Sequence, residues 1–159
     1  MQLKSKVNPQ THLLLIQLLL GLVWFRSGLT KLLAPDFIVN LPKTLTFFAS
    51  KNPLPWYKDF LLQFAIPQVG LFGNLTRWGE FSAGVLLIIT ALTMLFKKEV
   101  PFLRHLALVG NLIGVWLNLN FGLASYWTSA ASETINLLML GIQIIIGVYH
   151  LRSLRQMKS

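Results

Sequence analysis

Four apolar runs, each long enough to cross a bilayer, dominate this chain: His12 to Ala34, Leu75 to Phe96, Phe102 to Trp127 and Thr134 to Leu151. A spanning helix takes about 20 mostly apolar residues. The composition agrees, with 54% of residues hydrophobic and only 12% charged and a mean hydropathy of +0.61, far from the balance of a soluble domain. The expected fold is therefore all-α, a four-helix transmembrane bundle forming one integral membrane domain over residues 1–159. Its contact partner is the lipid bilayer.

The net charge of +9 would suit nucleic acid, but its distribution argues against that partner. Lys4 and Lys6 precede the first run, Lys97, Lys98 and Arg104 surround the second connection, and Arg152, Arg155 and Lys158 follow the last run. The third connection has no Lys or Arg. This is the positive-inside pattern, which places both termini in the cytoplasm and the long first connection outside a bacterial-type plasma (inner) membrane. Lys43, Lys51 and Lys58 on that connection weaken the asymmetry without reversing it. The first run contains Arg26 and Lys31 and lacks an A-x-A cleavage pattern, so it reads as a retained helix and not a signal peptide.

Cysteine is absent, which removes disulfides, thiol nucleophiles, iron–sulfur ligands and CxxC redox pairs. Redox chemistry would need a bound cofactor or a partner. His12, His105 and His150 fall near the cytoplasmic boundary, no two of them at ligand spacing on one helix, so they read as interfacial residues, with no metal or haem site. Nucleotide-binding and hydrolase motifs are missing as well.

The first run ends at Ala34-Pro35-Asp36, and residues 36–74 form a cap between the first two spans. Phe37, Ile38, Leu41, Leu45 and Phe48 recur at helical spacing, and Pro42 predicts two short helical pieces. Asn52-Pro53-Leu54-Pro55-Trp56-Tyr57 is a rigid turn, and Phe60 to Ile66 is apolar but too short to span. A connection of this length serves as a lid or binding surface, or lies amphipathically on the membrane.

Charged groups inside a span are costly, about 2.5–3.5 kcal/mol at a helix centre on insertion scales, so each needs a partner or a purpose. Measured from the outer helix ends, Arg26 lies about 12 Å deep, Glu80 about 8 Å, and Asn118 and Asn120 about 6–9 Å, with Arg77, Asn136 and Lys31 above them. The inner half has little beyond Gln17, Asn111 and Gln143. Projection at about 100° per residue puts Arg77, Glu80 and Gly84 on one face, Asn111, Gly114 and Asn118 on another, and Glu133, Asn136, Gln143 and Gly147 on a third. On the first span Gln17, Gly21, Trp24, Gly28 and Lys31 share a face, while Arg26 points to the opposite, leucine-rich side.

Two readings follow. Arg26 and Glu80 form a structural ion pair with the amides as interhelical glue, or the group is a polar-headgroup site. In the second, Glu80 is the catalytic residue that exchanges a proton, and Arg26, Lys31, Arg77, Asn118, Asn120 and Asn136 bind a quinone headgroup. Gly110 and Gly114 form a GxxxG that reads as close helix packing, and the five tryptophans, three of them at outer-interface depth, fit an aromatic belt more than a cofactor stack.

Trp24-Phe25-Arg26-Ser27-Gly28-Leu29-Thr30-Lys31, the Asn52-Pro53-Leu54-Pro55-Trp56 cap, Arg77-Trp78-Gly79-Glu80-Phe81-Ser82-Ala83-Gly84 and the Asn118 to Asn120 segment together resemble the DoxX-like membrane proteins. The cap makes the chain most similar to the DoxD branch, subunits of thiosulfate:quinone oxidoreductase. The resemblance implies a four-helix membrane protein of a quinone-linked redox complex, with a redox partner subunit and family polar positions at Arg26, Lys31, Glu80 and Asn118. A homo-oligomer is compatible with it. The expected function is a membrane subunit of a quinone-linked oxidoreductase acting on thiosulfate or a related sulfur compound. The alternative is a non-enzymatic scaffold or small-molecule permease.

Overall fold

The computed structural model describes residues 9–96 and 101–157 and is all-α, with no strand among the described residues. Six α-helices follow in order: α1 (Pro9–Leu33), α2 (Phe37–Lys51), α3 (Pro55–Phe60), α4 (Val69–Phe96), α5 (Pro101–Ser125) and α6 (Ala130–Gln156). A π-helical turn, Leu61–Ala65, continues α3, and a 3-10 turn, Tyr126–Thr128, ends α5. The helices α1, α4, α5 and α6 are long and apolar enough to cross a membrane, making the chain a multi-pass, four-helix bundle. Lys4, Lys6, Lys97, Lys98 and Lys158 lie outside the described residues.

Glycine sets how closely the spans approach. A methyl group at Gly28 would collide with the backbone of Phe81, and one at Gly84 with the backbone of Phe25, so α1 and α4 touch main chain to main chain at two levels. Between them the Phe25 and Phe81 rings pack with centroids 5.3 Å apart. On α5, Gly110 faces Leu86 of α4 while Gly114 faces Gln143 of α6 and Trp24 of α1. The GxxxG is thus spent on packing inside one chain. α6 lies along α5 and barely touches α1, which leaves one seam of the bundle loosely closed.

The core runs along the axis through Leu20, Trp24, Ala83, Leu87, Leu117 and Ile146. A second cluster, Ala49, Tyr57, Leu61, Ala65 and Ala124, joins the cap to the end of α5. Outward positions such as Leu19, Leu22, Ile89, Leu112, Leu138 and Ile145 are exposed on every span. Such a surface is suited to hydrocarbon and not to water.

Three expectations are corrected here. Pro42 does not divide the cap helix: α2 is continuous from Phe37 to Lys51. Proline sits early in the helix, and its missing N–H forfeits a single bond to the carbonyl of Ile38. α4 begins at Val69 and not at Leu75, because Gly73 is packed against Ile38 and Leu41 of α2, which compensates its poor helix propensity. α6 likewise begins at Ala130, capped by the Ser129 side chain, which accepts from the Ser132 backbone N–H at 3.1 Å, with Glu133 in its first turn.

Candidate functional site

The ammonium of Lys31 donates to both carboxylate oxygens of Glu80, at 2.8 and 2.6 Å, and to Ser27 Oγ at 2.8 Å. Ser27 and Lys31 are one turn apart on α1, flanking Gly28; Glu80 directly precedes Phe81, against which Gly28 rests. The glycine contact therefore sets the register that brings the two charges together. Glu80 is 1% exposed and the Lys31 side chain 26%, so the pair sits at the edge of a low-dielectric interior. There the loss of either partner is costly because the other charge is stranded.

Above this pair lies a cavity of about 700 Å³ between the bundle and the cap. Its floor and walls come from α1, α4, α5 and α6, and its roof from α2, α3 and the π turn. The walls are mostly apolar, with Lys31, Glu80, Asn118, Asn120 and Asn136 among the polar groups that reach it. Asn118 Nδ2 donates to the Asn136 carbonyl at 2.8 Å, and Asn120 Nδ2 to the Trp116 carbonyl at 2.8 Å. Asn136 Nδ2 donates to the Ser132 carbonyl at 2.8 Å. Each amide is thereby held in place with its side-chain oxygen still free to accept.

The cap is fastened through backbone carbonyls of α5. Asn52 Nδ2 donates to the Leu123 carbonyl at 2.6 Å, while its Oδ1 accepts from the Leu54 N–H at 3.0 Å and shapes the turn into Pro55. The Tyr57 hydroxyl donates to the Asn120 carbonyl at 3.1 Å. Burial pushes the Tyr57 phenol up to about 12.

Two of the residues expected at the site lie elsewhere. Arg26 follows Trp24 by two residues, about 200° around the helix, so it faces outward while Trp24 faces the core. Its guanidinium makes no hydrogen bond or ion pair among the described residues, and the partner of Glu80 is Lys31, not Arg26. Arg77 bonds back along its own helix, with Nε and a terminal nitrogen 3.0 and 2.6 Å from Asn74 Oδ1, and does not line the cavity.

Sequence reasoning also missed a buried polar cluster at the end of the bundle opposite the cap. His150 is fully buried, unlike an interfacial residue, whereas His12 and His105 are exposed. Gln17 Nε2 donates to the Leu87 carbonyl at 3.0 Å and to Thr90 Oγ1 at 2.9 Å. The amide oxygen of Gln17 therefore accepts from His150 Nε2, at 2.6 Å. This network assigns the Nε2–H tautomer, leaving Nδ1 facing the Arg104 guanidinium at 3.5 Å. The seven-residue spacing of Arg104 to Asn111 and of Gln143 to His150 was the available signal. Trp24 is likewise a core residue at the cavity floor, leaving Trp56, Trp78, Trp116 and Trp127 as the exposed tryptophans.

Among the described residues no group of three or more His, Cys, Asp or Glu gathers to hold a metal ion. Comparison with protein-family models, with curated proteins and with solved structures gives no match for this chain.

Proposed function

We propose that the chain is the membrane subunit of a quinone-linked oxidoreductase and that the capped cavity receives the quinone headgroup. The observation that carries this reading is a cavity of about 700 Å³, mostly apolar, that ends on a buried carboxylate–ammonium pair. Amphiphiles with one polar end and an apolar body suit such a space. Its opening supports the same class of ligand: Val23 of α1 and Ile135 of α6 both line the cavity and are 52% and 56% exposed, flanking the seam where α1 and α6 hardly meet. A ligand dissolved in the bilayer would pass there without crossing water.

Within this reading Lys31 and the amides of Asn118, Asn120 and Asn136 orient the headgroup oxygens, and Glu80 exchanges protons with them. The apolar walls exclude water. With no cysteine in the chain, electrons come from a partner subunit that oxidises a sulfur compound such as thiosulfate, as the DoxX-like resemblance implies.

The test uses native membranes containing the partner, with quinol formation followed on addition of thiosulfate or sulfite. Glu80→Gln, assayed in the fraction that remains folded, is expected to lower turnover at least tenfold. Absence of quinone reduction by the wild-type assembly would overturn the reading and favour a permease or scaffold.

A further inference from the structure

Polar side chains recur at every seventh residue on three spans: Gln17, Trp24 and Lys31 on α1, Arg104, Asn111 and Asn118 on α5, and Asn136, Gln143 and His150 on α6. Seven residues make nearly two full turns, so each series keeps to one face and advances about 10 Å per step. The three series meet in layers. At the cap end, Asn118 bonds to Asn136 beside the Lys31–Glu80 pair; in the middle, Asn111 Nδ2 donates to the Gln143 carbonyl at 2.9 Å; at the far end, His150 joins Gln17 and Arg104.

The middle layer is incomplete. Gln143 is fully buried, yet neither its Nε2 nor its Oε1 has a hydrogen-bond partner, and the same holds for Asn111 Oδ1 and Trp24 Nε1. Buried polar atoms left in this way are costly, and native proteins commonly satisfy them with internal water. Glycine at position 114 lets these groups gather against α5: Gln143 Nε2 and Trp24 Nε1 lie 2.5 and 3.0 Å from the point where a Gly114 Cβ would sit. Two donors so placed are within reach of one bridging water, and the two amide oxygens supply acceptors for its protons.

We infer that ordered water completes the Trp24–Asn111–Gln143 layer and that the three layers together form a proton path along the bundle axis, from His150 to Glu80. Its two ends are the titratable groups, an imidazole and a carboxylate about 21 Å apart at a helical rise per residue. No covalent change is involved: a proton taken up at one end is matched by one released at the other. Leu20, Leu87, Leu117 and Ile146 pack among the layers, so the axis is not a standing pore and water crosses these positions only transiently. Arg104 beside His150 and Lys31 beside Glu80 repel other cations at both ends. The path goes beyond the quinone reading, although it would serve that reading by supplying protons to Glu80.

The experiment uses the full-length protein in liposomes that contain a pH-sensitive dye and no quinone, with a potassium diffusion potential driving proton uptake. Wild-type vesicles are expected to acidify at least threefold faster than protein-free ones. Gln143→Leu should lower the excess rate at least tenfold, and Leu87→Ser, which wets the barrier, should raise it at least threefold. Wild-type uptake equal to that of protein-free vesicles overturns the proposal, as does undiminished uptake in a folded Gln143→Leu variant. Should Gln143→Leu fail to fold, an unchanged rate in Leu87→Ser overturns it equally. Because quinone is absent, none of these outcomes depends on the cavity binding one.

Discussion

Lys31 carries three N–H donors, and all three are occupied: two on the Glu80 carboxylate and one on Ser27. In the proposed reading, a headgroup oxygen that accepts from Lys31 would displace one of these acceptors and so couple binding to the proton on Glu80. Lys31→Met leaves the carboxylate without its counter-charge and should destabilise the fold by about 3 kcal/mol, near the lower bound for breaking a buried pair. Adding Glu80→Gln should recover most of that loss, as measured by thermal unfolding in detergent. Tyr57 gives a second residue-scale prediction. Its phenol ionises near 10.0 in the unfolded chain and near 12 when buried, so the folded state holds its proton longer. Cap stability is then constant below pH 10 and declines as pH rises towards 12. Tyr57→Phe should remove that alkaline decline in a melting-temperature profile. Lys31 was legible in the sequence through the stripe it shares with Gln17, Trp24 and Gly28. Its pairing with Glu80 was not, because helix projection gives the face of each residue but no register between two helices.

At the scale of the helix, that register belongs to glycine. Gly28→Ala and Gly84→Ala each place a methyl group into the facing backbone, where no side chain can rotate away, and should cost about 1–3 kcal/mol as α1 and α4 are forced apart. Gly141 and Gly122 have nothing within 4 Å of a prospective Cβ, so Gly141→Ala should be neutral or stabilising by up to about 1 kcal/mol. Melting temperatures of the three variants would separate the packed positions from the open one. The four spans could be read from hydropathy because burying apolar length in lipid is a local property of each segment. The continuity of α2 through Pro42 and the early start of α4 could not, since both depend on α2 and α4 resting against each other around Gly73. The burial of His150 and Arg104 had only their seven-residue spacing from Gln143 and Asn111 as a signal: near a span end, burial and interfacial placement have the same composition.

For the whole molecule, the charge distribution predicts an orientation and the absence of cysteine makes it easy to measure. A cysteine placed at exposed Ser129, in the α5–α6 connection, should react with a membrane-impermeant thiol reagent from outside the cell. One at exposed Arg155, near the end of α6, should react only after the membrane is opened. Reversal of the two would invert the assignment of the cap to the external face. The cap's attachment has a further consequence. Asn52 and Tyr57 hold main-chain oxygens of Leu123 and Asn120, atoms that every amino acid possesses. The side chain of Asn120, which lines the chamber, can therefore change without unfastening the roof, so that chamber is free to acquire a new lining, and with it a new clientele, while its architecture stays the same.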